Sequence, residues 1–380
     1  METKTRLIKE KLSYWMFKNK VLVITGARQV GKTTLLQMLF SNQEMLWLNG
    51  DDPAIRKRME NITLSGIKEL IGSHKIVVID EIQRILNPGL VLKMMIDNFK
   101  EVQFVATGSS ALEISDKVFE PLTGRHILFH LYPFSQAEIY PTKSAFEIEQ
   151  SLPFHLRFGS YPDICNYPSD AETLLNNLAE QYLYKDVLIW KDIRKPELLD
   201  KLLKLLAYQI GSEVSIHELA KSLKIKSETV ENYIDLLEKS FVVFRLKSYS
   251  TNERKEVTKM NKIFFWDNGI RNAVINDFRP LELRNDIGAL WENFLVSDRM
   301  KMKAWKENTA KSYFWRNNQQ REVDYLEERY GELNAYEMKW NSDKKHKITL
   351  AFTNAYPTAK THILTPENFK EFCFMEERVD

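Results

Sequence analysis

The chain is short of cysteine, of net charge and of long apolar runs, and each shortage closes off a class of function. Its two cysteines, Cys165 and Cys373, stand far apart and fit no metal or redox spacing, so a reduced, cytoplasmic setting is expected. Seven histidines are scattered without an HxxH or HExxH pattern, which argues against a zinc site. Lysines and arginines (54) nearly balance the acids (52), for a formal net charge of +2. No global field therefore recruits nucleic acid or a membrane surface, and any basic patch has to be local. No apolar run approaches the length of a membrane span, and residues 1–11 are polar, with no signal-peptide core. What remains is the composition of an ordinary soluble protein, and 380 residues suggest about two or three domains.

The most informative stretch is Val21 to Thr34. An apolar β-branched run, Val21 to Thr25, leads into Gly26-Ala27-Arg28-Gln29-Val30-Gly31-Lys32-Thr33-Thr34, and a helical pattern with Leu35, Leu36 and Leu39 on one face follows. Strand, phosphate loop and helix stand in the order a P-loop requires. Gly26 and Gly31 let backbone N–H groups converge, and the helix N-terminus adds partial positive charge, so residues 26–34 suit a polyphosphate. Lys32 is placed to reach the β- and γ-phosphates and the Thr33 hydroxyl to ligate Mg²⁺.

Downstream, Lys75 to Glu81 reads as four aliphatics followed by two acids, the pattern of a strand buried on both faces that delivers carboxylates at its C-terminal end. Asp80 would hold Mg²⁺ through water, and Glu81 would act as general base on the attacking water. A further strand is expected over Gln103–Thr107, ending in Gly108-Ser109-Ser110. In P-loop ATPases with an added strand between the two motif strands, that strand ends in a polar residue that senses the γ-phosphate, and Thr107 and Ser109 are the candidates. Arg125, just before a strand expected over His126–Leu131, is a candidate arginine finger or phosphate-sensing cation.

These motifs, together with Thr123-Gly-Arg125, Pro133-Phe-Ser-x-x-Glu138, Gly159-Ser-Tyr-Pro-Asp163 and Tyr182-Leu-Tyr-Lys-Asp-Val187, resemble a bacterial and archaeal AAA-type ATPase family with a C-terminal region of formerly unknown function. The resemblance runs from about Tyr14 to Trp340 and implies ATP, rather than GTP, with Mg²⁺. Ser160 stands where the family usually has a second glycine, which puts the local turn in doubt but not the nucleotide site.

The middle of the chain has its own order. Helices are expected over 198–210, from Ser215 (a capping box with Glu218), and from Ser227 with an inner face of Val230, Tyr233 or Ile234, and Leu237; strands follow at Phe241–Leu246 and Lys262–Trp266. That is the order of a winged helix-turn-helix, and the family resemblance implies the same module. The second helix presents Glu228, Glu231, Asp235 and Glu238, which DNA phosphates would repel, so a packing or protein-contact role is favoured for it. The wing carries Arg245, Lys247, Arg254, Lys255, Lys259 and Lys262 against Glu253 and Glu256; whether it touches phosphates or is simply solvated stays open.

In the last third, a helix over Ile287–Trp305, strands at 311–315, 323–328 and 335–339, a helix at 349–355 and a strand at 360–364 follow the α-β-β-β-α-β order of a restriction-endonuclease-like core. Asp324 and Glu337-x-Lys339 fall on adjacent strands, and residues 337 and 339 share a face. With Gly288-x-x-Trp-Glu292 before them, they resemble PD-(D/E)xK nucleases, with Val323 in place of the motif's proline. Asp324, Glu337 and Glu292 would hold Mg²⁺, and Lys339 would orient the attacking water. The expected architecture is α/β: a P-loop parallel sheet (1–170), a helical linker with winged helix-turn-helix (171–283), and the nuclease-like core (284–380). Two functions are consistent with it. One is an ATP-dependent enzyme of nucleic-acid processing or defence, with DNA or RNA as partner. The other is a nucleotide-controlled switch or scaffold whose C-terminal core binds without cutting. A protein partner through the winged-helix module and oligomerisation are compatible with both; a membrane is not expected.

Overall fold

A computed structural model describes residues 4–108, 119–181, 195–250, 261–306, 309–341 and 346–374. Two compact units result, one of residues 3–133 with 239–241, the other of residues 134–238 and 242 onward.

The first unit is built on five strands: β1 (Val21–Gly26), β2 (Leu46–Asn49), β3 (Ile76–Asp80), β4 (Gln103–Gly108) and β5 (His126–Leu131), in the order β2-β3-β4-β1-β5. Every pairing is parallel. β1, β3 and β4 are buried at every residue, which is why their sequences read as unbroken aliphatic runs rather than alternating ones. β4 lies between the strands that end in Gly26 and Asp80, as the added-strand reading required. Val77, Ile79, Phe104 and Ala106 pack with Ile67, Ile71, Leu92, Met95 and Ile96 of the covering helices. Each such side chain contributes about 1.5–3 kcal/mol of transfer free energy if fully buried. One helix was not anticipated. The turn after β2 continues into Pro53–Met59, because Asp52 accepts from the Ala54 N–H and Pro53 occupies the first helical turn.

The second unit takes in residues 134–170, which the sequence had attached to the nucleotide domain. Ser135 and Glu138 form a reciprocal capping box, as do Ser144 and Glu147. Gly159 alone takes the left-handed φ (70°), and the Ser160 N–H donates to Asp267 Oδ2 at 2.7 Å. The turn therefore needs one glycine, and Ser160 is accommodated where the family has a second. Tyr182–Val187 lies outside the described residues.

Helix Pro196–Tyr208, β6 (Glu213–Val214), helices Ile216–Leu223 and Ser227–Lys239, β7 (Val243–Ser248) and β8 (Asn261–Phe265) follow in order. β6 and β7 both pair antiparallel with β8. Helix Ile287–Trp305 then precedes β9 (Lys311–Arg316), β10 (Glu322–Arg329) and β11 (Glu332–Met338). Helix Leu350–Ala355 and β12 (Lys360–Leu364) follow, and a helix Phe369–Phe374 that periodicity had not indicated ends the described chain. β7 continues parallel to β9, with Lys247 opposite Tyr313 and Ser248 opposite Phe314. One seven-stranded sheet, β12-β11-β10-β9-β7-β8-β6, thus joins segments expected to be separate domains.

Candidate functional site

The phosphate loop leaves β1 at Gly26, where a Cβ would lie 2.1 Å from the Leu131 carbonyl oxygen of the neighbouring strand, so glycine is obligatory there. Arg28 and Gln29 are exposed at the loop tip, with Ala27 and Val30 buried beneath. Gly31, at φ 92°, turns the chain into helix Lys32–Leu39, whose N-terminus opens toward the loop. Lys32 is buried, and its Nζ donates to the carbonyls of Gly26 (3.1 Å) and Ala27 (2.8 Å). Thr33 and Thr34 sit exposed on the first turn.

The Thr33 hydroxyl donates to Asp80 Oδ2 at 3.1 Å, which ties the loop to the end of β3. Two hard oxygen ligands side by side suit Mg²⁺, so these residues fit that ion. Thr107 is fully buried at the end of β4; its hydroxyl donates to Asp80 Oδ1 and accepts from the Glu81 N–H at 3.3 Å. The Thr107 hydroxyl thus bridges the two acidic residues at the end of β3. Ser109, the other sensor candidate, lies outside the described residues. Glu81 adopts a left-handed φ of 49° and accepts from Gln83 Nε2. Burial raises its carboxyl above the usual range, with the Lys32 ammonium and the Gln83 hydrogen bond opposing. A carboxyl shifted upward yet near a cation is suited to taking a proton.

Two supports of this site were missed. Gly50 packs against the Glu81 carbonyl, where a Cβ would stand at 2.4 Å, and its N–H donates to the Asp80 carbonyl at 2.8 Å. The neighbouring Asp51 adds to the upward pressure on Glu81. The Asn49-Gly-Asp-Asp run carried that signal but reads in isolation as an ordinary turn. Arg125 is a correction. β5 runs parallel to β1 with His126 opposite Val21, so Arg125 lies at the edge of the sheet opposite the phosphate loop, roughly 17 Å away along five strand residues. There its Nε donates to Asp97 at 2.7 Å, and it does not reach a phosphate on its own chain.

In the second unit, Glu292, Glu322 and Asp324 offer carboxylate oxygens within 4.8 Å of one another. Glu292 comes from helix Ile287–Trp305, and the other two from one face of β10. Glu322 was not anticipated, although its i, i+2 spacing from Asp324 was visible. Glu337 lies beside this trio rather than in it, and Lys339 Nζ stands 2.7 Å from Glu337 and 3.9 Å from Asp324. Asp324 Oδ2 instead accepts from the Met338 N–H at 2.7 Å. Burial and the nearby Asp324 push the Glu337 carboxyl up to about 7; burial pushes Glu292 up to about 8, with Lys262 opposing and Asp324 adding.

The largest departure is Lys262. Expected among the basic residues of the wing, its side chain is fully buried and its Nζ lies 2.8 Å from Glu292 and 2.5 Å from Glu322. Charge in the trio is therefore met by an ammonium from β8, and the residues as arranged do not fit a divalent ion. Arg245 is likewise no free wing cation, because it pairs with Asp235 at 2.5 Å and with Glu238. Glu228 and Glu231 stay exposed on the same helix. Arg254, Lys255 and Lys259, with Glu253 and Glu256, lie outside the described residues.

Residues 18–140 match the family model described as an AAA domain. Residues 149–281 and 287–373 match two further models, each described as a domain of unknown function (DUF8612 and DUF4143). An uncharacterized protein of Mycobacterium tuberculosis is 27% identical over 329 residues, covering 85% of this chain and 70% of that one. Another, from Methanocaldococcus jannaschii, is 26% identical over 352 residues, covering 85% and 75%. Among solved structures, the Walker-type ATPase of Pyrococcus abyssi is similar at a TM-score of 0.44 and 16% identity, covering 70% of this chain and 94% of that one. The chain thus carries an AAA-type P-loop ATPase domain followed by two domains of unknown function. Among the described residues, no helix is long and apolar enough to cross a membrane.

Proposed function

We propose that this chain, with its AAA-type P-loop domain, is a Mg²⁺-dependent ATP hydrolase coupled to a nuclease-like domain that acts on DNA or RNA, in processing or defence. The observation that carries the hydrolase is the linked set Thr33–Asp80–Thr107–Glu81, which joins the phosphate loop, β3 and β4 through side-chain hydroxyls. Lys32 and the backbone of residues 26–31 bind and orient the triphosphate. Thr33 and Asp80 would hold the magnesium, which offsets charge developing on the phosphates. Glu81 takes the proton of the attacking water, and Gln83 fixes its carboxylate.

The order helix–β6–helix–helix–β7–β8 supports a winged helix-turn-helix between the two functional ends. Its second helix acts in packing or protein contact rather than in reading a groove. Asp235 and Glu238 are engaged by Arg245, and Glu228 and Glu231 would repel phosphates. The α-β-β-β-α-β order, with Glu292, Asp324, Glu337 and Lys339 around one end of the sheet, supports the nuclease-like assignment.

A specific observation favours a second reading, in which ATP controls a switch or scaffold and the nuclease-like core binds without cutting: Lys262 stands among the carboxylates a metal would need. Hydrolysis and cleavage assays on wild type, Lys32→Ala and Asp324→Ala with single- and double-stranded DNA and RNA separate the two. Cleavage by wild type that is lost in Asp324→Ala while its ATP hydrolysis persists supports the nuclease. Hydrolysis without cleavage of any substrate supports the switch.

A further inference from the structure

On β8, Lys262 pairs with Glu213 of β6 and Leu246 of β7, so the β7-β8-β6 end of the sheet sets its position. From there its side chain, wholly shielded from solvent, crosses to helix Ile287–Trp305 and to β10. Its Nζ reaches Glu292 Oε1 and Glu322 Oε1, and the Phe314 ring centroid lies 5.5 Å away. Two further contacts close the same side. Gly211, at φ 73°, approaches Glu292 so closely that a Cβ would stand 3.1 Å from Oε2, and Glu213 pairs with Arg316 of β9 at 2.8 Å.

A divalent metal in such a cluster needs oxygens at roughly 2.0–2.6 Å from a common centre. An ammonium held by two of the three carboxylates competes for that volume and supplies charge of the same sign, so the two cations are mutually exclusive. Burial makes Lys262 hard to dislodge, because breaking a buried ion pair leaves uncompensated charge on both partners. We infer that Lys262 is the resident cation of the Glu292–Glu322–Asp324 cluster, and that the strand carrying it closes the nuclease-like site to a divalent metal. This rests on the nuclease-like reading of residues 284–374 for what the site would otherwise do. The closing segment belongs to the neighbouring module, so the contact is autoinhibitory, made by one part of the chain on another.

The test uses the full chain without nucleotide and Mn²⁺ as probe, counting only binding that Asp324→Asn removes. Wild type should show none. Lys262→Met should gain one such site, at least tenfold tighter than any in wild type. Its melting temperature should fall by roughly 10 °C without metal and recover with Mn²⁺. Lys262→Met/Glu292→Gln removes both partners of the buried contact and should fold even where the single variant does not, with most of the lost melting temperature restored. Asp324-dependent Mn²⁺ binding by wild type as tight as that of Lys262→Met overturns the inference. So does a double variant no more stable than the single one, since Lys262 would then serve something other than charge. Asp324-dependent cleavage by wild type would overturn the closed site and leave the nuclease reading standing. A Lys262→Met protein that gains the metal and cuts nothing supports the closed site and removes the nuclease reading.

Discussion

At the phosphate loop, Lys32 donates to two neutral backbone carbonyls, and the acids beside it are engaged by hydroxyls and an amide. In the carboxylate cluster of the second unit, Lys262 donates to two carboxylates and has no solvent exposure. The first arrangement leaves an ammonium that exchanges weak acceptors for phosphate oxygens at little cost. In the second, releasing the lysine leaves one buried and two partly buried acids facing one another, a cost of up to about 3–5 kcal/mol, the figure for a fully buried pair. A lysine beside carboxylates thus marks a ready site in one unit and a closed one in the other. The deciding feature is what the ammonium is bonded to.

The largest effects should come from breaking the first arrangement. Lys32→Ala removes the cation over the phosphates and should lower ATP hydrolysis at least ~10³-fold while weakening nucleotide binding. Glu81→Gln keeps the shape and the contact with Gln83 but cannot accept a proton. It should lower kcat by about 10²–10⁴-fold with nucleotide affinity within a few-fold of wild type. Fluorescent-nucleotide titration beside phosphate release separates the two. Unchanged turnover in Glu81→Gln would remove Glu81 as the base.

How far each region was legible follows from the same contrast. Residues 26–34 are contiguous, and Asp80 ends one strand with Glu81 next to it, so strand periodicity and spacing suffice to place them. The order of the C-terminal elements was also readable, since its helices and strands have clear periods. What could not be read was the joining of β7 to β9, a contact of two residue pairs between segments over sixty residues apart. That joining carries β8, and with it Lys262, into the cluster. In the sequence Lys262 is one of several basic residues after a polar loop, and burial is the property that composition does not show. Arg125 stands away from its own chain's phosphate loop for a related reason: strand direction, not sequence, decides which edge of the sheet a residue occupies.

A smaller effect should distinguish the units by their buried acids. Asp298 is buried in the second unit, where Oδ1 accepts from the Gln136 N–H at 2.9 Å; burial pushes its carboxyl up to about 6, with Lys301 opposing. The folded value is above the ordinary one of about 3.9, so the folded state binds the proton more tightly. Stability from this group is full below about pH 4 and is lost as pH rises through about 6. Asp298→Asn keeps the acceptor and removes the titration. Its stability relative to wild type should therefore rise between pH 4 and 7, by about 3 kcal/mol at most. Melting temperatures of both proteins across that range provide the check, and a pH-independent difference would show that burial does not shift the Asp298 carboxyl.

The smallest expected effect is at Arg125, and it is informative because it is small. Arg125 is partly exposed, bonds to Asp97, and lies at the end of β5 level with Val21, across the sheet from Gly26. Within one chain it has no route to the nucleotide, and an exposed ion pair adds little to stability. Arg125→Ala should therefore leave nucleotide affinity, kcat and melting temperature near wild type at protein concentrations where the chain is a monomer. An arginine finger supplied to a neighbouring copy behaves differently. Hydrolysis per chain would then rise with protein concentration in wild type, and Arg125→Ala would flatten that rise while leaving affinity intact. Mixing Arg125→Ala with Lys32→Ala, each inactive on its own in that case, would restore activity, because one copy supplies the arginine and the other the phosphate loop. Recovery in the mixture would place Arg125 in the nucleotide site of a partner copy. An unchanged rate in the single variant would confine its role to the pair with Asp97.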